Sequence, residues 1–376
     1  MTEPLLHICS TADWRAALAA GELHPTSLDD VGFVHLSSPE HVHRPANRLF
    51  RGHTDLVLLC IDPELAAVDL YWEPGDPPDP DVPVFPHAYG AIATRAVTAV
   101  LPYLPGRDGS FAPLTDVPDR GDLPGRSWWI PYAMALRQAS RIEWVTGGFA
   151  VLAAGTPESF NHNQLVLDAL VPVEVMLAEA DDLLGGAGVR HRAVTLRHPD
   201  SAGLAAELAG RGFRIDETVV MARRAGPGHS ADRPAQAVTE VEAEQLRAWW
   251  AERTRRNNAD ITADAVEQLT QRRLVSGEVI DMRYLAVRVD GAVAAAASLA
   301  IDGATAWIDA IDTDPAHRRR GYGEAVLRGC LATAEAAGCD LVVLDALVTD
   351  WPRDWYARRG FTEVANAWMA ILLVAE

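Results

Sequence analysis

Apolar residues recur along this chain in short runs broken by glycine, proline and aspartate, a pattern that predicts strands alternating with helices. LLHIC at 5–9, DLVLLCI at 55–61 and the stretch 96–101 read as strands, GFVHLSS at 32–38 as another, and 11–20 as a short helix capped by Ser10 or Thr11. Towards the end of the chain, 284–289 and 292–301 form two strands joined by a turn at Asp290-Gly291, and 306–311 continues as a third. A helix opens after Gly321 and runs to about residue 337. Thr239, followed three residues later by Glu242, predicts a capping box at the start of an earlier helix.

One pattern is written twice. ELAGRGF ends at Phe213 and is followed by Met221; WYARRGF ends at Phe361 and is followed by Met369, at the same spacing. The same distance ahead of each turn lies an apolar strand, AVTL ending at Leu196 and LVVL ending at Leu344. Strand, helix, Arg-Gly-Phe turn and strand therefore repeat, which predicts two related α/β units packed as a pair. Pro- and Gly-rich stretches at 105–126 and 226–234 read as linkers. They divide the chain into units over 1–105, 127–225 and 238–376, with linkers at 106–126 and 226–237.

A chain of 376 residues is too long for one ordinary core, and 49% apolar with 23% charged residues is a globular composition. There is no lysine, so all 33 basic residues are arginine, against 52 acidic ones, for a net charge of −19. Each of the three units is acidic, so no unit offers the phosphate-neutralising face of a nucleic-acid binder, and the balance favours a cationic substrate such as an amine. Cys9, Cys60, Cys330 and Cys339 are scattered and read as buried free thiols. The longest apolar run, 292–301, is far short of a membrane span and the first ten residues lack a basic start, so a cytoplasmic protein without a membrane partner is expected. The oligomeric state is left open.

The segment DTDPAHRRRGYGEAVL, 312–327, carries the most specific chemistry. Arg318, Gly321 and Gly323 fit the pattern Arg/Gln-x-x-Gly-x-Gly/Ala between a strand and a helix. Glycines there let the backbone close around a pyrophosphate, and the free amides of the helix start donate to its oxygens. With the strand before it, the LVVLDA strand after it and the closing Tyr-x-x-x-Gly-Phe, residues from about 239 to 376 resemble the GNAT superfamily of acetyl-CoA-dependent N-acyltransferases. The resemblance implies a seven-stranded mixed sheet in which strand 306–311 splays from strand 340–345, and the pantetheine arm entering the gap. It implies acetyl-CoA bound by Ile311, Thr313, Arg318, Arg319, Arg320, Gly321, Tyr322, Gly323 and Glu324. Tyr356 stands at the family's general-acid position, and Asp309 and Asp345, on the two splayed strands, are both candidates for the general base. In the preceding unit, Leu208 matches Tyr356, Arg197 matches Asp345 and no glycine cradle is present. That unit reads as a degenerate GNAT-like half which supports the active one or shapes the acceptor pocket. Its cluster Phe160-Asn-His-Asn-Gln164 reads either as a turn with capping side chains or as a pocket lining.

In the first unit His7, His35 and His87 lie on or beside short strands, with Ser37, Asn47, Glu73 and Tyr89 in neighbouring motifs. LHIC, GFVHLSS, ANRLF and FPHAYG together resemble a short uncharacterised bacterial domain family, over almost all of 4–104. That family is grouped by fold with the ADP-ribosyltransferases, which implies NAD held by His7 and His35 with Ser37 nearby, and Glu73 as the one candidate carboxylate. A metal site built from the histidines is an alternative.

The expected fold class is α/β (α+β): tandem GNAT-like mixed sheets with flanking helices, plus a small N-terminal α+β domain. The expected function is acetyl transfer from acetyl-CoA to an amine of a small molecule or peptide, the N-terminal domain serving a linked reaction or sensing NAD. Two alternatives stand beside it: an ADP-ribosyl- or NAD-handling enzyme with the GNAT pair acting on the same substrate, and a nucleotide-binding regulator without turnover.

Overall fold

The computed structural model describes residues 3–75, 81, 84–114, 116–226, 236–258 and 261–374. The N-terminal unit runs β1 (Leu5–Ser10), α1 (Thr11–Ala20), β2 (Glu22–Leu23), α2 (Thr26–Val31), β3 (Val34–His35), α3 (His43–Leu49), β4 (Leu56–Ile61), α4 (Pro63–Ala66), β5 (Asp69–Glu73), β6 (Phe85–Tyr89), β7 (Ile92–Ala93) and β8 (Val97–Tyr103). Its sheets have the orders β1-β4-β8 and β3-β6-β5, with β2 paired to β7. Every residue of β4 is buried, as its unbroken apolar run requires of a strand covered on both faces. Helix α1 begins where Ser10 accepts from the Asp13 amide and ends at Gly21 in the left-handed region. The strand expected over 32–38 is shorter, Val34–His35, with Ser37 joined to Leu6 by a single bridge.

The middle unit runs α5 (Leu123–Trp128), α6 (Ile130–Arg137), β9 (Arg141–Val145), β10 (Gly148–Leu152), β11 (Gln164–Leu167), α7 (Val173–Ala180), β12 (His191–Leu196), α8 (Ala202–Gly210) and β13 (Arg214–Arg224). The C-terminal unit comes next with β14 (Thr239–Val241), α9 (Arg247–Asn257), α10 (Ala263–Leu274), β15 (Asp281–Val289), β16 (Ala292–Asp302), β17 (Thr305–Thr313), α11 (Tyr322–Ala336), β18 (Leu341–Leu347), α12 (Pro352–Ala357) and β19 (Thr362–Leu373). The hairpin of β15 and β16 turns at Asp290 and Gly291, both with positive φ, as expected of an Asp-Gly turn. The capping box lies later than expected. Glu242 caps and Gln245 reciprocates, because Thr239 is already committed to β14.

These two units share one eleven-stranded sheet of order β14-β15-β16-β17-β18-β13-β19-β12-β11-β10-β9. The repeated turns have the same geometry: Gly212 and Gly360 are left-handed, and the Phe213 and Phe361 amides reach back to the carbonyls of Leu208 and Tyr356. Beyond each turn the chain departs from a simple tandem. β13 lies antiparallel between β18 and β19, and β19 lies antiparallel between β12 and β13. Each unit thus lends its last strand to the other. The seven-stranded sheet implied for the C-terminal unit exists only with β13 of the middle unit as its sixth strand.

Alternation along the strands assigns the two faces. Val342 and Leu344 pack with Val326 and Leu327 of α11, whereas Val343 and Trp307 pack with Ile130, Ala133 and Met134 of α6 on the opposite side. The stretch 106–126, expected to be a linker, is tied down. Phe111 is buried, and the Arg126 side chain is fully buried, donating to the carbonyls of Thr98 and Arg120 and pairing with Asp340. The rest of the expected second linker, beyond Gly226 and up to Gln236, lies outside the described residues.

The N-terminal unit is docked by buried polar contacts. Trp14 Nε1 donates to Asp302 at 2.7 Å, and Arg137 pairs with the same carboxylate at 2.7 Å. Gly303, in the turn between β16 and β17, has φ of 71°, and a Cβ there would lie 2.3 Å from the Val97 carbonyl oxygen. Gly303→Ala should therefore cost about 2–4 kcal/mol, combining left-handed strain with overpacking against backbone. Thermal unfolding checks this. Gly155→Ala, where a Cβ meets nothing, is the control, and equal midpoints for the two variants would refute the account.

Candidate functional site

The site forms where β17 and β18 part. They pair in parallel only over Thr305–Ile308 and Leu341–Leu344, so the backbone of 309–313 that faces β18 has no strand partner. Such an edge is a template for an extended ligand. A bulge marks the same point. Leu299 pairs with Ile308 and Ser298 with Ala310, which leaves Asp309 as the extra residue and turns its side chain out of the regular alternation.

The two candidate bases prove unequal. Burial works to raise the pKa of Asp309, but Arg273, Arg272 and Arg253 outweigh it and hold the carboxyl below its usual range. Arg273 Nη1 lies 2.8 Å from Asp309 Oδ2. Asp309 is thus a committed ion-pair partner rather than the free base the sequence allowed. Asp345 differs: its side chain is exposed within the cleft, and no arginine pairs with it among the described residues. Its pKa is raised to about 7, chiefly by the protein crowding round it and then by the like charge of Asp309. Water reaching this carboxylate opposes the shift, so the shift is fullest when a ligand displaces that water. The Trp307 indole N–H, buried and without a well-aligned partner, lies near enough to lower the value slightly.

Tyr356 lies on α12, 8% exposed, packed between Trp355 and Phe361. Burial, with Cys330 and Asp345 nearby, pushes its phenol up to about 12, so it stays protonated throughout the neutral range. Its hydroxyl has no hydrogen-bond partner among the described residues, which leaves a proton to donate. All four cysteines are buried free thiols, each raised to about 12 by burial.

The cradle lies at the start of α11. Arg319 at φ 60° and Gly321 at φ 82° curl the loop so that the first amides of α11 face outward. A Cβ on Gly323 would come within 3.2 Å of Thr313 Oγ1, so the close approach of loop and strand needs glycine. Arg318, Arg319 and Arg320 are exposed and form no ion pair among the described residues, while Ile311, Thr313 and Tyr322 are half-buried beside them. Glu324 offers only its amide, because Arg328 and Arg359 hold its carboxylate. These groups fit a pyrophosphate with a pantetheine arm running into the splay.

In the middle unit the equivalent position is closed. β11 and β12 pair over Leu165–Leu167 and Val194–Leu196, and the next residues, Asp168 and Arg197, stand where Asp309 and Asp345 stand. Arg197 pairs with Asp168 at 3.0 Å and lies 4.2 and 4.1 Å from the ring centroids of Trp128 and Trp129, its side chain fully buried. Opposite charges and an aromatic cage thus fill the one splay, where two carboxylates stand at the other. Asn163, in the Phe160–Gln164 cluster, caps its own turn by accepting from Ala153 and donating to Thr156 and Ser159. His162 bonds Ser159 and Gln138 and lies near Arg272, Asp309 and Arg273 of the C-terminal unit. Burial drives its pKa down to about 3, so it is neutral.

The sequence reading missed Arg253, Arg256, Arg272 and Arg273, which gather beside Asp309 and Asp312. The arginine doublets of α9 and α10 were the available signal, but doublets on a helix ordinarily face water.

The N-terminal unit encloses a cavity of about 1420 Å³ lined by His7, His35, Ser37, Asn47, Arg48 and His87 among others. His7 Nδ1–H donates to the His35 carbonyl, and burial lowers its pKa. His87 stacks on Phe33 at 4.0 Å, and its Nδ1–H and the Tyr89 hydroxyl both donate to Glu73, holding that carboxyl low. The Asn47 side chain is spent on structure, accepting from the Phe111 amide and donating to the Phe111 carbonyl. No group of three His, Cys, Asp or Glu converges as a metal site among the described residues. Nor is any helix among them long and apolar enough to cross a membrane.

Comparison with known proteins identifies two regions. Residues 243–361 match the acetyltransferase (GNAT) family, and residues 8–100 match a family described as a protein of unknown function, DUF952. No curated protein matches the chain. A functionally unknown conserved protein from Staphylococcus epidermidis shares the fold, with 13% identity and a TM-score of 0.53, over 63% of this chain and 95% of its own. A GCN5-related N-acetyltransferase from Kribbella flavida is 19% identical, with a TM-score of 0.45, over 64% and 93%. A protein from Caulobacter crescentus is 33% identical over 29% of this chain and 93% of its own, with a TM-score of 0.26.

Proposed function

We propose that the C-terminal unit, an acetyltransferase-family domain, transfers an acetyl group from acetyl-CoA to an amine of a small molecule or peptide. The observation that carries this reading is the coincidence, at one splay, of an unpaired strand edge, an exposed carboxylate with a raised pKa and a protonated buried phenol. Bound acetyl-CoA would supply the acyl group already activated as a thioester. Asp345 accepts the proton the amine sheds as its nitrogen forms the new amide bond. Tyr356 supplies the proton that neutralises the departing sulfur. The amides of 322–324 and the side chains of Arg318, Arg319 and Arg320 hold the pyrophosphate.

Thermal unfolding with acetyl-CoA tests the reading. A ligand at a hundredfold excess over its Kd stabilises by about 2.7 kcal/mol, an upward shift of several degrees. Gly321→Glu places a bulky anion in the cradle at a left-handed position, and its midpoint should not respond to acetyl-CoA. Equal shifts in both proteins would end the assignment.

For the N-terminal cavity we propose a second small-molecule site. Its support is the convergence of His7, His35 and His87 on a cavity large enough for a dinucleotide, and NAD is the ligand the fold resemblance points to. NAD belongs in the same screen.

A further inference from the structure

Four arginines stand beside two aspartates on the α9–α10 side of the splay. Arg273 pairs with Asp309 at 2.8 Å, Arg256 with Asp312 at 2.5 Å, and Arg253 approaches Asp312 at 3.8 Å. Arg272 is left over. It makes no side-chain hydrogen bond or ion pair with any described residue, and its Nε is buried without a partner. Asp309, His162 and Tyr284 surround it, and Arg273 and Arg253 add like charge. His162 is neutral, and Asp309 is shared among Arg273, Arg272 and Arg253, so two carboxylates face four guanidiniums and the Arg272 charge is only partly offset. Arg272 is half-buried with its Nε sealed from water, and a guanidinium drawn in this far is normally paired, since leaving donors unmet costs more than pairing them gains. In a chain of net charge −19, a local excess of two positive charges also runs against the composition.

The sheet puts this excess within reach of the chemistry. Asp309 lies between the cluster and Asp345, close enough to Asp345 to raise its pKa. The cleft therefore has an acidic side that receives an amine proton and a basic side that lacks an anion. We propose that the acyl acceptor is an amine that also carries a carboxylate, with Arg272 binding the carboxylate and Asp345 receiving the amine proton. This rests on the acetyltransferase reading and names its substrate class. Burial and Arg273 together push Arg272 down to about 10, a strain that an entering anion relieves. Arg253, only loosely held by Asp312, is placed to share the charge.

The test uses the full chain with amino acids and the amines left when their carboxyl group is removed, together with the N-acetylated forms of both. Acetyl transfer is followed by mass spectrometry, and binding of the N-acetyl compounds to the CoA-loaded protein by calorimetry. Amino acids should be acetylated with kcat/KM at least about tenfold above their decarboxylated counterparts. Arg272→Gln should raise KM for them by about tenfold or more with kcat little changed, and should keep the full thermal shift with acetyl-CoA. Arg272→Lys should recover part of the loss, and it carries the comparison should the Gln variant fail to fold. Decarboxylated amines turned over as well as amino acids, or an unchanged KM in Arg272→Gln, would overturn the proposal. If no amine is acetylated, the acetyltransferase reading fails and calorimetry decides this one. N-acetyl amino acids binding the wild type but not Arg272→Gln sustain the anion site; binding to neither overturns it.

Discussion

Replacing Asp345 by asparagine is expected to lower kcat by about 10²–10⁴, the usual contribution of a positioned base, while acetyl-CoA still raises the thermal midpoint. The side chain keeps its size and loses only the ability to take a proton. The pH dependence has a definite sign. Asp345 must be ionised to act, so the wild-type profile carries a limb that rises as pH climbs towards about 7, beneath the further rise set by deprotonation of the amine. The asparagine variant lacks that limb, and only the ionisation of the amine remains in its profile. Stability moves the other way. A carboxyl whose folded pKa is raised contributes stability below the usual carboxylate range and loses it as pH rises through about 7. At pH 8 the asparagine variant should therefore be no less stable than the wild type. A profile that keeps the acid limb, or a variant unstable at pH 8, would remove Asp345 from this role.

Expressed alone, residues 237–376 should not give a cooperatively folded domain, although they contain the whole acetyltransferase-family match. They lack β13, whose Val219, Val220 and Met221 are 1%, 5% and 0% exposed in the intact sheet. Burying three such side chains is worth roughly 5–9 kcal/mol, against a typical net stability of about 5–15 kcal/mol. The loss bares one edge of β18 and, because β12 is missing as well, both edges of β19 to intermolecular pairing. The fragment should show no sharp thermal transition and should aggregate. Restoring β13 by co-expressing residues 127–226 should recover soluble material. A fragment that melts cooperatively on its own would show that β13 is dispensable.

How much of this was legible in the sequence depends on what each signal encodes. The β15–β16 hairpin, the α11 start and the repeated Gly-Phe turns were legible because positive φ and capping are properties of a few adjacent residues. Tyr356 and the glycine cradle were placed by a motif of fixed spacing, whereas Asp309 and Asp345 stood level as candidate bases. Strand exchange was not. Alternation in β13 and β19 states which face is buried and is silent on which strand lies alongside, and the repeat makes the two equally suitable in either place. The standing of Asp309 was hidden too, because its partner Arg273 lies on α10, 36 residues away along the chain. Arg126 was read as linker because proline and glycine surround it, yet its side chain is locked under Asp340. Arg272 escaped notice for a related reason: in QRRL nothing distinguishes an arginine with a carboxylate partner from one left without.

The crossing of β13 and β19 also has a consequence for the order in which the chain can be finished during synthesis. The middle unit is translated first, but the neighbour that belongs between β12 and β13 is residues 362–373, which leave the ribosome only after the rest of the C-terminal sheet. Until then β12 and β13 wait with open edges, and the nascent chain passes through a long interval in which its strands can pair with those of a neighbouring polypeptide. Two nascent chains side by side could trade these strands as readily as the two halves of one chain do. A protein built this way is exposed to intertwined dimers at high expression, and slowing translation between β13 and β19 should increase them.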